Sequence, residues 1–362
     1  MTTIARDTSP AQIDVAGGVD THQDTHTAAA IDGAGRLLGH QQFPATAAGY
    51  RQLLAWLRSF GTLLIVGIEG TGVYGAGLAR HLAAEGVAML EVDRPDRKTR
   101  RFAGKSDPLD AEAAARAALA GARTGTPKDR TGQVEALRNL RVARHSAIDQ
   151  RADCQRRIKS LIVTAVEPLR GQLRGLSGTR LIATCAGLRP DPARIGEPHQ
   201  ATKTALRSLA RRHQALSEEI AELDDLIGPL VAEINPELLA CTGVGADVAG
   251  QLLVTAGQNA DRLHSEPAFA MLCGVAPIPA SSGKTHRHRL NRGGDRQANA
   301  ALYRVVLCRM RWDPRTRAYV ERRTKEGLSK KDILRCLKRM IARELYYVLR
   351  PATSTAEPAM AA

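Results

Sequence analysis

The hydrophobic positions first fall into short runs of β character and then change to long stretches of helical period. After residues 1–12, which read as a disordered leader, IDVAGGVD closes on Asp20. THTAAAID follows Thr21-His22-Gln23-Asp24, and RLLGHQQF follows the turn at 33–35. Three such runs separated by turn residues predict an antiparallel meander. Residues 46–59 take helical spacing, with Tyr50, Leu53, Leu54 and Leu57 on one face. Leu63 to Ile68 is an apolar run of the kind buried in a sheet centre, and it ends on Glu69. A helix over 73–85, a strand over 87–92 and a basic segment RPDRKTRRFAGK follow. Three antiparallel strands followed by alternating helix and strand is the order of an RNase H-like α/β fold.

From residue 126 the period becomes helical. Leu206, His213, Ile220, Ile227 and Ile234 share one heptad position, and Leu209, Leu216, Leu223 and Leu230 fall three residues later each time. This seam predicts a coiled coil or a helical hairpin, partnered by a helix near 133–166 or by a second protomer. His213 reads as a polar residue that sets register. Gly228-Pro229 is expected to kink or end the helix, and the Gly- and Pro-rich stretch 171–203 reads as a connection or small insertion. LLACTGVGADVAGQLL (238–253) joins two helical ends through Gly243-Val244-Gly245, either as a helix-hairpin-helix that brings backbone N–H groups to a phosphate or as a plain packing turn. Residues 296–311 and 329–349 read as helices with Arg and Lys outward. The chain is thus α/β plus α: an RNase H-like domain over 1–125, coiled-coil helices over 126–236, and a mostly helical basic domain over 237–362.

Charge sharpens this division. The 362 residues carry a formal net charge of +15, and residues 283–350 alone hold 20 Lys+Arg against 6 Asp+Glu. Nearly the whole excess lies in the last fifth, as expected of a nucleic-acid-binding module on a near-neutral body. No apolar run approaches spanning length and no signal-peptide core is present, so a membrane role is not expected. Aromatic residues are only 3%, so phosphate contacts rather than base stacking should dominate binding. The six scattered cysteines form no Cys-x-x-Cys pair and read as small apolar residues in a reducing cytoplasm.

Two groups of residues carry candidate chemistry. Asp20 and Glu69 close strands, and Asp107 and Asp110 open DPLDAEAAARAAL at i and i+3, on one helical face. Hard oxygen ligands from two strand ends and a helix suit Mg²⁺, and a pair of ions can clamp an in-line phosphoryl displacement. Singly, each acid also has an ordinary structural use: Asp107 as a helix cap, Asp110 in the first turn, Asp20 in a turn, Glu69 at a strand end. The second group is PIPASSGKTHRHR (277–289), whose prolines and glycine exclude helix. Its adjacent hydroxyls, Ser281 and Ser282, are followed by Lys284, Arg287, Arg289 and Arg292. A cationic surround suits a serine attacking a phosphodiester, although the same composition describes a solvated basic loop. Gly283-Lys284-Thr285 is not a nucleotide loop, because Ile278 stands where the required glycine would be.

In GVDTHQDTH (18–26), GIEGTGVYG (67–75), KSDPLDAEAAARA (105–117), LLACTGVGADVAGQLL (238–253) and FAMLCGVAPIPASSGKTHRHRLNRGGDRQANAAL (269–302), the chain resembles the DEDD transposases of insertion-sequence family 110, the bridge-RNA-guided serine recombinases. The helical middle matches in character only. The resemblance implies that Asp20, Glu69, Asp107 and Asp110 form the Mg²⁺-binding tetrad of a RuvC-like domain. It implies that Ser282, with Ser281 the alternative, attacks DNA to give a covalent phosphoserine link. Lys284, Arg287, Arg289, Arg292, Arg296 and the glycines 243 and 245 would then contact nucleic acid. Further implied are donor and target double-stranded DNA, an element-encoded guide RNA, a homo-oligomer between dimer and tetramer, and a cytoplasmic, nucleoid-associated bacterial location. Gln23 stands where many relatives carry lysine. Two other readings compete: a metal-only RuvC-like nuclease or Holliday-junction resolvase, and a non-catalytic architectural protein. The seam makes it plausible that serine and acids meet across two protomers.

Overall fold

A computed structural model of the protein describes residues 13–92, 106–122, 124–284 and 287–350. The leader 1–12, the basic segment up to residue 105, and Thr285 and His286 lie outside the described residues. The chain divides into two compact units, one running to Arg130 and including Ala256–His264, the other formed by Thr131–Thr255 and the chain from Ser265.

The first unit is built on a six-stranded sheet of order β3-β2-β1-β4-β5-β6. The expected meander is β1 (Asp14–Thr21), β2 (Thr25–Asp32) and β3 (Leu37–Pro44). α1 (Ala47–Arg58) leads to β4 (Thr62–Glu69), parallel to β1, and α2 (Ala76–Ala84) leads to β5 (Met89–Val92). α3 (Asp107–Ala120) and the short β6 (Thr124–Gly125) complete it. This mixed arrangement is consistent with an RNase H-like domain. The two sheet faces are filled differently. One packs large side chains, including Val15, Val19, Phe43, Leu53, Leu57, Ile68, Leu78 and Leu82, from the strands, α1 and α2. The other is covered by α3 through its alanines 111, 114, 115 and 118, all buried. Ideal Cβ atoms on Gly18 and Gly67 would stand 2.1 Å from the Ala111 carbonyl oxygen and 2.4 Å from that of Ala114. The helix backbone therefore lies directly on the strands, an approach only glycine allows.

In the second unit α4 (Gly132–Thr164) and α7 (Pro198–Ile234) form a hairpin, with α5 (Leu169–Leu173) and α6 (Gly178–Ala186) between them. Gln133–Glu233, Arg144–Asp224 and Arg151–Ser217 contacts run antiparallel along it. Every heptad-seam residue of α7 is buried or half-buried, and Leu216 and Ile220 cluster with Ala147 and Cys154 of α4. The seam of α7 thus packs on a helix of the same chain. The stretch 171–203 connects α4 to α7 and contains α6 and the start of α7. Gly228-Pro229 does not end α7: Ile227 and Val231 stay buried around an exposed Pro229, so packing offsets the single N–H that proline lacks.

After α8 (Pro236–Ala240), α9 (Ala246–Ala256) and α10 (Glu266–Leu272) come the strand pair β7 (Ile278–Pro279) and β8 (His288–Arg289), then α11 (Arg296–Trp312), α12 (Pro314–Lys325) and α13 (Lys330–Leu349). α12 lies outside the predicted helices, and Pro314 does not break it. Pro314 is the first helical residue, with Asp313 accepting from the Thr316 N–H at 3.0 Å. The buried Arg309 of α11 joins this unit: its Nε donates to the Thr242 carbonyl and its terminal nitrogens grip Glu344 of α13, each at 2.7 Å. Arg309→Ala is expected to cost about 2 kcal/mol in urea unfolding, below the full cost of a broken buried pair because Glu344 stays half-exposed. Loss within 0.5 kcal/mol would mean this contact is dispensable.

Candidate active site

The end of the sheet brings the acids together. In the parallel β1–β4 pair Val19 faces Ile68, so Asp20 and Glu69 follow on adjoining strands. Strand alternation sends each to the face of the glycine two residues before it, the face covered by α3. The Thr21 hydroxyl donates to the Glu69 carbonyl at 2.7 Å and ties the strand ends together. The glycine contacts hold α3 down so that its first turn, with Asp107 and Asp110, arrives at the same edge. Asp20, Glu69 and Asp110 are buried. Burial raises the Asp20 carboxyl above its usual range, His22 partly offsets this, and Asp107 and Asp110 push it further up.

His22 stands between Asp20 and Asp107, its Nε2 3.2 Å from Asp20 Oδ2 and 3.4 Å from Asp107 Oδ1. One ligand atom from each of these three residues lies within 4.8 Å of the others. Carboxylates sharing so small a space repel one another unless a cation is added, and the donor set fits a divalent ion. The oxygens favour Mg²⁺ or Mn²⁺, and the imidazole also accepts softer ions.

The serines lie in the second unit. Ile278 pairs with Arg289 and Pro279 with His288, and the Ala280 N–H adds a rung to the Arg287 carbonyl at 2.8 Å. Beyond that rung Ser281, Ser282, Gly283 and Lys284 are exposed, as are Arg287, Arg289, Arg292 and Arg296. The root of this hairpin is fixed. Asn299 donates to the carbonyls of Cys273 and Gly274 at 2.9 and 3.1 Å, and Asp295 N–H to the Leu272 carbonyl at 2.6 Å. Gly243, at φ +80°, is half-buried against Cys308 and Arg309 of α11, whereas Gly245 is exposed with open space beside it.

Residues 17–166 match the DEDD transposase family of IS110, and residues 235–321 match the transposase family of IS116, IS110 and IS902. The chain is thus similar to IS110-family transposases over two separate stretches. Among similar proteins is the insertion element IS110 uncharacterized 43.6 kDa protein of Streptomyces coelicolor, 32% identical over 40% of this chain and 36% of that protein. Another is the insertion element IS900 uncharacterized 42 kDa protein of Mycobacterium paratuberculosis, 26% identical over 66% of each chain. The chain thus spans about a third and two thirds of the length of these relatives. The first matched stretch contains the acid cluster and the second contains Ser281 and Ser282. No helix among the described residues is long and apolar enough to cross a membrane.

Sequence reasoning passed over His22, treating it as part of a turn. A signal was present: His22 is two residues beyond Asp20, and in extended chain i and i+2 share a side. It also read the cysteines as apolar core. Cys154, Cys185 and Cys273 are buried, and burial pushes the Cys185 thiol up to about 11, which keeps it unreactive.

Proposed function

We propose that this chain is an insertion-sequence transposase that cleaves and exchanges DNA strands as a serine recombinase. The observation that carries this reading is the Asp20–His22–Asp107 cluster where the end of β1 meets the start of α3, in a chain whose second matched stretch presents exposed serines on a cationic hairpin. Ser282 Oγ attacks a backbone phosphorus, forming a P–Oγ bond as the bond to one deoxyribose oxygen breaks. The hydroxyl proton passes to water and the departing oxygen takes one up, so the link conserves the phosphodiester for rejoining to another strand. Ser281 is the alternative nucleophile. Lys284, Arg287, Arg289, Arg292 and Arg296 neutralise backbone charge on either side. Asp20, Glu69, Asp107 and Asp110 would hold Mg²⁺, which supplies charge stabilisation to the non-bridging phosphate oxygens.

The partners in this reading are donor and target duplexes and an element-encoded guide RNA, with a homo-oligomer bringing the ends together. Low aromatic content supports specificity carried by base pairing, with the protein gripping backbone and shape. The acid cluster by itself also favours a second reading, a metal-dependent nuclease in which the hairpin only clamps DNA. Denaturing gels of the protein with its element DNA, RNA and Mg²⁺ separate the two. The expected result is a protein–DNA adduct formed by wild type and Ser281→Ala and abolished in Ser282→Ala and Asp107→Ala. Cleavage that needs Asp107 but leaves no adduct would sink the serine reading and establish the nuclease.

A further inference from the structure

The second unit contains a cavity of about 590 Å³ between the serine hairpin and α13, within the range of small-ligand sites. Its apolar side is formed by Val275, Pro277 and Leu290, and its rim carries Arg287, Arg289 and Lys338. Two other cations at the rim are already engaged: Arg339 grips Glu266 and Arg335 pairs with Asp332 at 2.7 Å. Lys338 differs from both. It is half-buried, its Nζ donates to the neutral Asn299 Oδ1 at 2.8 Å, and no carboxylate among the described residues forms an ion pair with it. Burial and the neighbouring Arg335 depress its affinity for a proton. A half-buried ammonium without an anion is unfavourable, and the cations Arg287 and Arg289 line the same cavity. The cavity is also tied to the serine loop, since Asn299 accepts from Lys338 while donating to the hairpin root.

We propose that this cavity takes one nucleotide of a DNA strand, with its phosphate at Lys338, Arg287 and Arg289 and its sugar and base against Val275, Pro277 and Leu290. The assignment to DNA, next to the phosphodiester that Ser282 attacks, rests on the function proposed above. Ser282 lies two residues beyond the Ala280–Arg287 rung, roughly 7 Å along an extended strand, or about two nucleotide rises of a duplex strand. The seated base leaves its stack, so the cavity favours single-stranded over paired DNA. Lys338 acts as a positioning residue that fixes the strand beside the nucleophile.

The test is fluorescence anisotropy of the full-length protein with labelled dT15 and a 15-base-pair duplex across a salt series. Lys338→Met is expected to weaken dT15 binding about tenfold and to reduce the salt slope by about 0.7, one single-strand phosphate contact. Lys338→Arg should restore both. Leu290→Trp, at a half-exposed position that tolerates bulk, should weaken dT15 binding by filling the apolar side while leaving the slope unchanged. Duplex affinity should move less than threefold in each. Unchanged dT15 binding in Lys338→Met and Leu290→Trp would overturn the cavity, as would equal losses on duplex. Tighter binding of rU15 than of dT15 would assign it to RNA and equally overturn the proposal. None of these readouts needs cleavage. A failed cavity would leave the Ser282 adduct standing, and an absent adduct with the shifts intact would sink the serine reading and keep the cavity.

Discussion

Gly18→Ala is expected to lower the melting temperature of the N-terminal unit by on the order of 10 °C and to erase its response to divalent cations. The added Cβ would lie 2.1 Å from the Ala111 carbonyl oxygen and 2.2 Å from the Ala115 nitrogen, and backbone of a helix has no rotamer by which to move aside. Either α3 lifts by about an ångström or the strand bends. Overpacking of this kind costs about 3 kcal/mol, which for a unit of this size corresponds to roughly 10 °C. Lifting α3 also carries Asp107 and Asp110 away from Asp20, so the cation site is lost with the packing. Gly33→Ala is the control: its Cβ would meet only Asp14 Cβ, at 3.7 Å, and melting should shift by less than 2 °C. Calorimetry with and without Mg²⁺ reads both effects. A Gly18→Ala protein that melts like Gly33→Ala would show that α3 does not rest on β1 as described.

The same contact explains how much was legible in the sequence. The meander and the alternation after it follow from period-two runs bounded by turn residues, and those runs end on Asp20 and Glu69. What the pattern does not carry is how closely α3 sits. DPLDAEAAARAALA buries alanines on glycines, so the helix shows almost no amphipathic contrast, and the glycines of GVD and GIE resemble turn residues rather than a packing surface. The α7 seam was legible as a stripe, but a stripe does not say whether its partner lies in the same chain or in another. Pro229 was expected to kink or end its helix, and the helix does not end there: proline excludes one hydrogen bond, and whether that matters depends on the packing around it. His22 was missed because histidine after a strand is an unremarkable turn residue until the neighbouring helix places Asp107 beside it.

Asp20→Asn separates the energetic effect of the acid cluster from its proposed catalytic role. Asp20 is buried, and Asp107 and Asp110 lie near enough to raise its carboxyl further. In EDTA an ionised Asp20 therefore opposes folding, and asparagine, neutral and of nearly the same shape, removes that opposition. The variant is expected to melt above wild type in EDTA. With Mg²⁺ the order reverses. A cation held at a hundred times its dissociation constant stabilises the folded protein by about 2.7 kcal/mol, and this gain depends on the negative oxygen that asparagine lacks. Strand cleavage should fall on the order of a thousandfold, the scale reached when one preorganised stabiliser of transition-state charge is removed. Thermal melts in EDTA and in Mg²⁺, set beside cleavage rates of the same preparations, test the pair of outcomes. If Asp20→Asn melts below wild type in EDTA and still gains from Mg²⁺, the cation binds elsewhere and Asp20 serves the fold. A variant that crosses over in stability and loses cleavage makes the buried carboxylate a cost to the fold that persists because the cation, and through it the phosphodiester, requires that charge.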